Sequence, residues 1–168
     1  MKTVIVLAMH GAPPNEVPPR EVIELVGLHQ ALEHAPALVR SILAGRYRRL
    51  DAKIRAWPRN SHNDPFWAGS HELAEHLRAA TGAEVLLGFN EFCAPTLDDA
   101  LDQAAVQANQ VIVITPMMTR GGEHSEVEIP NSVKRAQARH PAVTFKYAWP
   151  LDISAVANLL AAQVARLV

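Results

Sequence analysis

Two short runs, Thr3–Ala8 (TVIVLA) and Val111–Thr115 (VIVIT), are apolar along almost their whole length and rich in β-branched residues. A strand with one wet face alternates apolar and polar side chains. A run without alternation needs cover on both faces, which is the position of an inner strand in a parallel sheet flanked by helices. Pro116 stops the second run because it has no N–H to offer a ladder.

The rest of the chain supplies the partners that such strands need. Glu84–Phe89 (EVLLGF) and Val143–Tyr147 (VTFKY) read as two further strands. Apolar residues recur at helical spacing from Arg20 to Glu33 and again from Val39 to Trp57, with Pro36 between them and Pro58 after them. Asn63 or Asp64 can cap a helix that starts at Pro65, and Gly82 suits its end. Thr96, with Asp99 three residues on, is the signature of a capping box for a helix reaching about Asn109. Helices are also predicted from about Asn131 to Arg139 and, capped by Asp152, from Ile153 to Leu167. The order is strand, helical insert, helix, strand, helix, strand, helix, strand, helix. It predicts an α/β fold, a doubly wound, four-stranded parallel sheet with helices on both faces. All of residues 1–168 would form one domain, with residues 13–63 as an insert after the first strand.

Bulk properties narrow the function classes. The chain has 168 residues, 49% of them hydrophobic, and a formal net charge of −1. That near-neutral balance gives no basis for a nucleic-acid binder. No apolar run reaches the roughly 18 residues of a membrane span. The single cysteine, Cys93, rules out an internal disulfide and fits a reducing, cytoplasmic setting. One local departure stands out. Between Arg40 and Arg59 lie seven basic side chains (Arg40, Arg46, Arg48, Arg49, Lys53, Arg55, Arg59) and one acid, Asp51. Such a run reads as a solvated helix face or as an attraction for an anionic ligand or an acidic partner surface.

The chemistry-bearing residues are selected by the strand assignments. His10 follows the first strand, Glu91 the second and His124 the third. The carboxyl ends of parallel strands share one edge, where open α/β sheets bind ligands. A lone His in a loop is ordinarily a surface residue. Two imidazoles and a carboxylate at one edge form a ligand set for a divalent transition metal. His29, His34, His62, His71, His76 and His140 lack two-ligand spacing and read as surface residues. A helix start just beyond His124 would favour its neutral, ligating form. There is no GxxxxGK[ST] and no GxGxxG, so nothing implies a nucleotide. No Gly-x-Ser-x-Gly elbow is present, and Cys93 reads as a small packed residue.

Four segments together resemble a known family: VIVLAMHG, the strand exit with Glu91 before Pro95, VIVITPMMTRGGEHSEVEIPNSV, and the final strand ending in WPLD. They resemble the class II tetrapyrrole chelatases, and most nearly the short sirohydrochlorin cobaltochelatases. The likeness covers residues 1–11 and about 64–168. It implies a chelatase-like (flavodoxin-like) α/β fold and ATP-independent insertion of a divalent metal, with cobalt, nickel or iron as substrate, into a tetrapyrrole in cobalamin or related cofactor biosynthesis. It implies a homodimer as well, because relatives often carry two such domains in one chain. By position, His10, Glu91 and His124 would hold the metal and carry the catalysis. Met117, Met118, Arg120, Gly121 and Gly122 would meet the macrocycle, together with Trp149 and the basic run. Two residues depart from the pattern: Ala12-Pro13 follows His-Gly in place of a small hydroxyl residue, and Glu128 stands where Asp is common before Ile-Pro. HGAP and the long insert resemble a protoporphyrin ferrochelatase instead. A non-catalytic metal or tetrapyrrole carrier on the same fold, or a helper docking through its basic insert, are the other readings.

Overall fold

The computed structural model describes residues 2–167. Strands β1 (Thr3–Met9), β2 (Glu84–Phe89), β3 (Gln110–Ile114) and β4 (Thr144–Tyr147) form one sheet in the order β2-β1-β3-β4. Every pairing is parallel. The α/β architecture with a four-stranded parallel sheet is therefore the one the apolar runs predict.

β1 shows why its run has no polar alternation. Val4, Val6 and Ala8 face one layer, packing with Leu97, Ala100, Leu101 and Ala104 of α4 (Leu97–Gln107) and with Ile129 and Ala136 of α5 (Ile129–Arg139). Ile5, Leu7 and Met9 face the other, where Ala74, Trp67 and Leu77 of α3 (Pro65–Thr81) cover them. Each fully buried Val or Ile contributes about 1.5–3 kcal/mol relative to exposure. A central strand thus collects that gain from both faces.

Local signals set the helix ends. The Asp64 carboxylate accepts from Trp67 N–H at 2.8 Å, and Gly82 closes α3 with φ of +67°. Thr96 and Asp99 form the reciprocal capping box of α4, and Asp152 caps α6 (Ile153–Val164) through Ala155 N–H.

The insert folds as two helices, α1 (Pro19–His34) and α2 (Ala37–Arg55). They share a small core of Val17, Leu25 and Ile54, and Phe92 from the exit loop of β2 packs against it.

The sequence puts a loop between β3 and about Asn131. The backbone is instead helical from His124 onward, with a π-helical turn over His124–Glu128 running into α5. Proline explains the irregularity. Pro130 has no N–H for the usual four-residue bond, and Ile129 N–H reaches back five residues to the His124 carbonyl.

Candidate metal centre

Three strand ends deliver the site. β1 runs into His10-Gly11, β2 into Asn90-Glu91, and β3 leads through a loop to the π turn that begins at His124. The β1 and β2 exits are tied by backbone bonds, Asn90 N–H to Met9 O at 2.9 Å and Glu91 N–H to His10 O at 2.8 Å. Gly11 is required here. Its φ is +99°, and a Cβ on it would lie 1.9 Å from the Glu91 carbonyl oxygen.

One donor atom from each of His10, Glu91 and His124 lies within 4.8 Å of the other two. It is the one such group of three or more among the described residues. His10 Nε2 is 3.7 Å from Glu91 Oε2. The two imidazole rings meet edge to face, centroids 4.4 Å apart. Around a bound ion, ligand bonds of about 2.0–2.2 Å would bring neighbouring donors to about 3 Å. Side-chain rotation covers that difference.

Hydrogen bonds select the nitrogen each histidine offers. His10 Nδ1 donates to the Gly11 carbonyl at 2.7 Å. His124 Nδ1 donates to Glu128 Oε2 at 2.6 Å. Carbonyls and carboxylates only accept, so Nδ1 carries a proton in each ring and Nε2 is the nitrogen that a neutral ring leaves open to an ion. A carboxylate behind a ligating histidine fixes its orientation and raises its basicity. The i, i+4 spacing within the π turn brings Glu128 there. Beneath it, the Tyr147 hydroxyl donates to the Ser125 carbonyl at 2.9 Å. Burial, with Glu126 adding to it, pushes that phenol up to about 12, so it remains a donor.

A cavity of about 430 Å³ opens beside Glu91 and Glu128. Its wall includes Tyr47, Asp51 and Arg55 of α2, Asn90 of the β2 exit, and Asn131 and Arg135 of α5. Drug-sized ligands occupy cavities of about 300–1,000 Å³. Burial, followed by the negative charge of Asp51, pushes the Tyr47 phenol up.

The other site expectations divide. Met117 and Met118 are half-buried, Arg120, Gly121 and Gly122 are exposed, and none of the five lines this cavity. The basic run is also not one open patch. Arg46 pairs with Glu24 and Lys53 with Glu21 on α1, while Arg55 and Arg59 are turned inward onto backbone carbonyls. Arg40, Arg48 and Arg49 stay exposed. Cys93 is fully buried, and burial pushes its thiol up, away from nucleophile chemistry. Of the remaining histidines, His140 pairs with Asp102 at 2.8 Å and His71 packs on Trp67, ring centroids 4.2 Å apart. Arg135 was missed as a cavity residue. Its position depends on how α5 crosses the sheet edge, and no local motif encodes that.

Comparison with known proteins identifies the lineage. The profile of the CbiX family matches residues 61–167. The chain belongs to the CbiX family. That match starts where the helical insert ends, so α1 and α2 lie outside it, as does His10. Over 65 residues the CbiX chain is 29% identical to a sirohydrochlorin cobaltochelatase from Priestia megaterium. The match covers 39% of this chain and 21% of that protein, so the chain spans about a fifth of the length of this relative. A CbiX protein from Marinobacter aquaeolei VT8, described as one of cobalamin (vitamin B12) biosynthesis, has the same fold. It superposes with a TM-score of 0.50 at 16% identity over 98% of each chain. The sirohydrochlorin chelatase SirB from Bacillus subtilis subspecies spizizenii, solved with cobalt, gives a TM-score of 0.46 at 16% identity. That superposition covers 89% of this chain and 44% of SirB. Among the described residues no helix is long and apolar enough to cross a membrane.

Proposed function

We propose that this CbiX protein inserts a divalent metal ion into a tetrapyrrole of the sirohydrochlorin type without ATP. The observation that carries the reading is the convergence of one donor atom each from His10, Glu91 and His124 within 4.8 Å, with Glu91 also on the wall of an open cavity. Cobalt is the metal we favour, on the name of the Priestia megaterium relative.

In this reading the metal is a substrate, and it has to leave. Two imidazole nitrogens and one carboxylate hold it with few protein ligands, and the positions left open admit pyrrole nitrogens. His10 and His124 offer Nε2, each oriented through its Nδ1 proton. Glu91 serves as ligand while the metal waits. It can also accept a pyrrole N–H proton, as can Glu128, another carboxylate on the cavity wall. Insertion exchanges two pyrrole protons for the metal's two charges. The site therefore releases two protons for each metal it gives up. On the cavity wall Arg55 is paired with Asp51 and Arg135 with Asp98, so the sirohydrochlorin-type substrate is favoured by the family and not by free positive charge at the wall.

We propose further that residues 1–168 act as one domain and that two copies associate. Helix α6 supports association: Val156 is its one buried residue, whereas Ile153, Leu159, Leu160 and Val164 are all more than half exposed. Sedimentation at micromolar concentration should give twice the chain mass.

The test of activity is to mix the purified protein with sirohydrochlorin and cobalt, nickel or ferrous ion and follow the macrocycle's absorbance. Acceleration over the uncatalysed rate, lost in His10→Ala and His124→Ala, is the expected result. Tight binding of metal or macrocycle without acceleration would instead identify a carrier.

A further inference from the structure

Glu91 stands on the irregular loop that leaves β2, two residues past the strand end, and the insert holds that loop. Asn90–Cys93 has little regular structure to fix it. Its Asn90 and Glu91 N–H groups bond to the β1 exit. The carbonyls of Asn90, Phe92 and Cys93 turn the other way and are taken by two guanidinium groups. Arg55, the last residue of α2, donates Nη1 to Cys93 O at 2.6 Å and Nη2 to Asn90 O at 3.0 Å. Its Nε is held by Asp51 at 2.8 Å. Arg59, four residues on, donates Nη2 to Phe92 O and Nη1 to Ala12 O, the latter at 3.0 Å, and is paired with Asp64. Both side chains are almost covered, at 13% and 5% exposed. Phe92 adds an apolar anchor. It has a φ of +54°, a conformation that residues with a side chain seldom adopt, and it packs against the core of α1 and α2.

We propose that Arg55 and Arg59 are positioning residues: the insert clamps the Asn90–Cys93 loop so that the Glu91 carboxylate stays within reach of His10 and His124. This rests on the reading of that triad as the metal site. Only a planar guanidinium presents paired donors to two carbonyls while a third N–H is held by a carboxylate. The insert thereby gains a role beyond covering the sheet edge. Movement of α2 is transmitted to one of the three metal donors, and α2 also walls the cavity with Tyr47 and Asp51.

The test is cobalt(II) titration of the metal-free, full-length protein, followed by the visible absorbance of the bound ion. Arg55→Met should weaken cobalt binding about 10-fold, the scale on which groups supporting metal ligands act. Arg55→Lys should fall between Arg55→Met and the unsubstituted protein. Arg46→Met, which breaks an α1–α2 ion pair away from the loop, should bind as the unsubstituted protein does. Arg55→Met added to Glu91→Gln should cost nothing further, because the clamp acts only through that carboxylate. Unchanged affinity in Arg55→Met, or a loss that multiplies fully with that of Glu91→Gln, would overturn the proposal. Amide hydrogen exchange of residues 90–93 in metal-free protein provides a second reading. Exchange should quicken in Arg55→Met and not in Arg46→Met, and equal exchange in both would also overturn the clamp. Failure of the unsubstituted protein to take up cobalt would remove the metal reading, while the exchange result would still decide the clamp.

Discussion

The imidazole of His124 stands nearly perpendicular to that of His10, at an interplanar angle of 85° and with ring centroids 4.4 Å apart. One ring comes from the end of β1 and the other from the π turn beyond β3. Their Nδ1 protons point outward to Glu128 and to the Gly11 carbonyl, and one donor atom of each ring lies within 4.8 Å of the Glu91 carboxylate.

Glu128 is expected to matter to metal affinity although it is outside the donor triad. Its carboxylate fixes the His124 ring and its tautomer. Glu128→Ala should weaken cobalt binding about 10-fold, and calorimetric titration reads this directly. Glu128→Asp, which restores the residue common in the family resemblance, should bind more tightly than Glu128→Ala. Equal binding by all three proteins would contradict the assignment.

Gly11 should tolerate no side chain. In Gly11→Ala the new methyl would collide with the Glu91 carbonyl in a backbone conformation of φ +99°. Strain and overpacking together cost about 3 kcal/mol or more. Gly121→Ala makes the comparison: φ is +89°, but no atom lies within 4 Å of the added Cβ. It should cost about 1–2 kcal/mol from backbone strain alone. Urea midpoints measured side by side check the difference.

Asp98 predicts a pH dependence of stability. Burial raises its pKa, but hydrogen bonds and charge from Arg135 and Arg139 outweigh that and hold the carboxyl below its usual range. A folded-state value below the unfolded one contributes stability above the ordinary carboxylate pKa, and that contribution is lost as the pH falls through the folded value. Asp98→Asn should therefore lower the unfolding temperature at pH 7 and make little difference at a pH well below about 4. A gap that widens on acidification would contradict the pairing.

How much of this was legible in the sequence follows from the range of each interaction. β1 and β3 could be read because a strand buried on both faces must be apolar throughout. The caps at Asp64, Thr96 and Gly82 could be read because each is settled within four residues. His10, Glu91 and His124 could be singled out because parallel strands end at one edge, whatever the separation in sequence. The helical backbone at His124 was not legible. It depends on a five-residue bond forced by Pro130, and the apparent Gly-rich loop concealed it. Arg55 and Arg59 resemble their exposed neighbours in composition. Only the packing of α2 against the β2 exit turns them inward. For the same reason the basic run could not be divided into surface charge and buried guanidinium groups, nor Arg135 read as part of the cavity wall.

The central claim is that three side chains from separate strand ends share one divalent ion. Crystals soaked in cobalt(II) and measured at the cobalt absorption edge test it most directly. An anomalous peak about 2 Å from Nε2 of His10, Nε2 of His124 and a Glu91 oxygen is the predicted result. Full cobalt occupancy elsewhere on the chain, with no peak between these three, would contradict it.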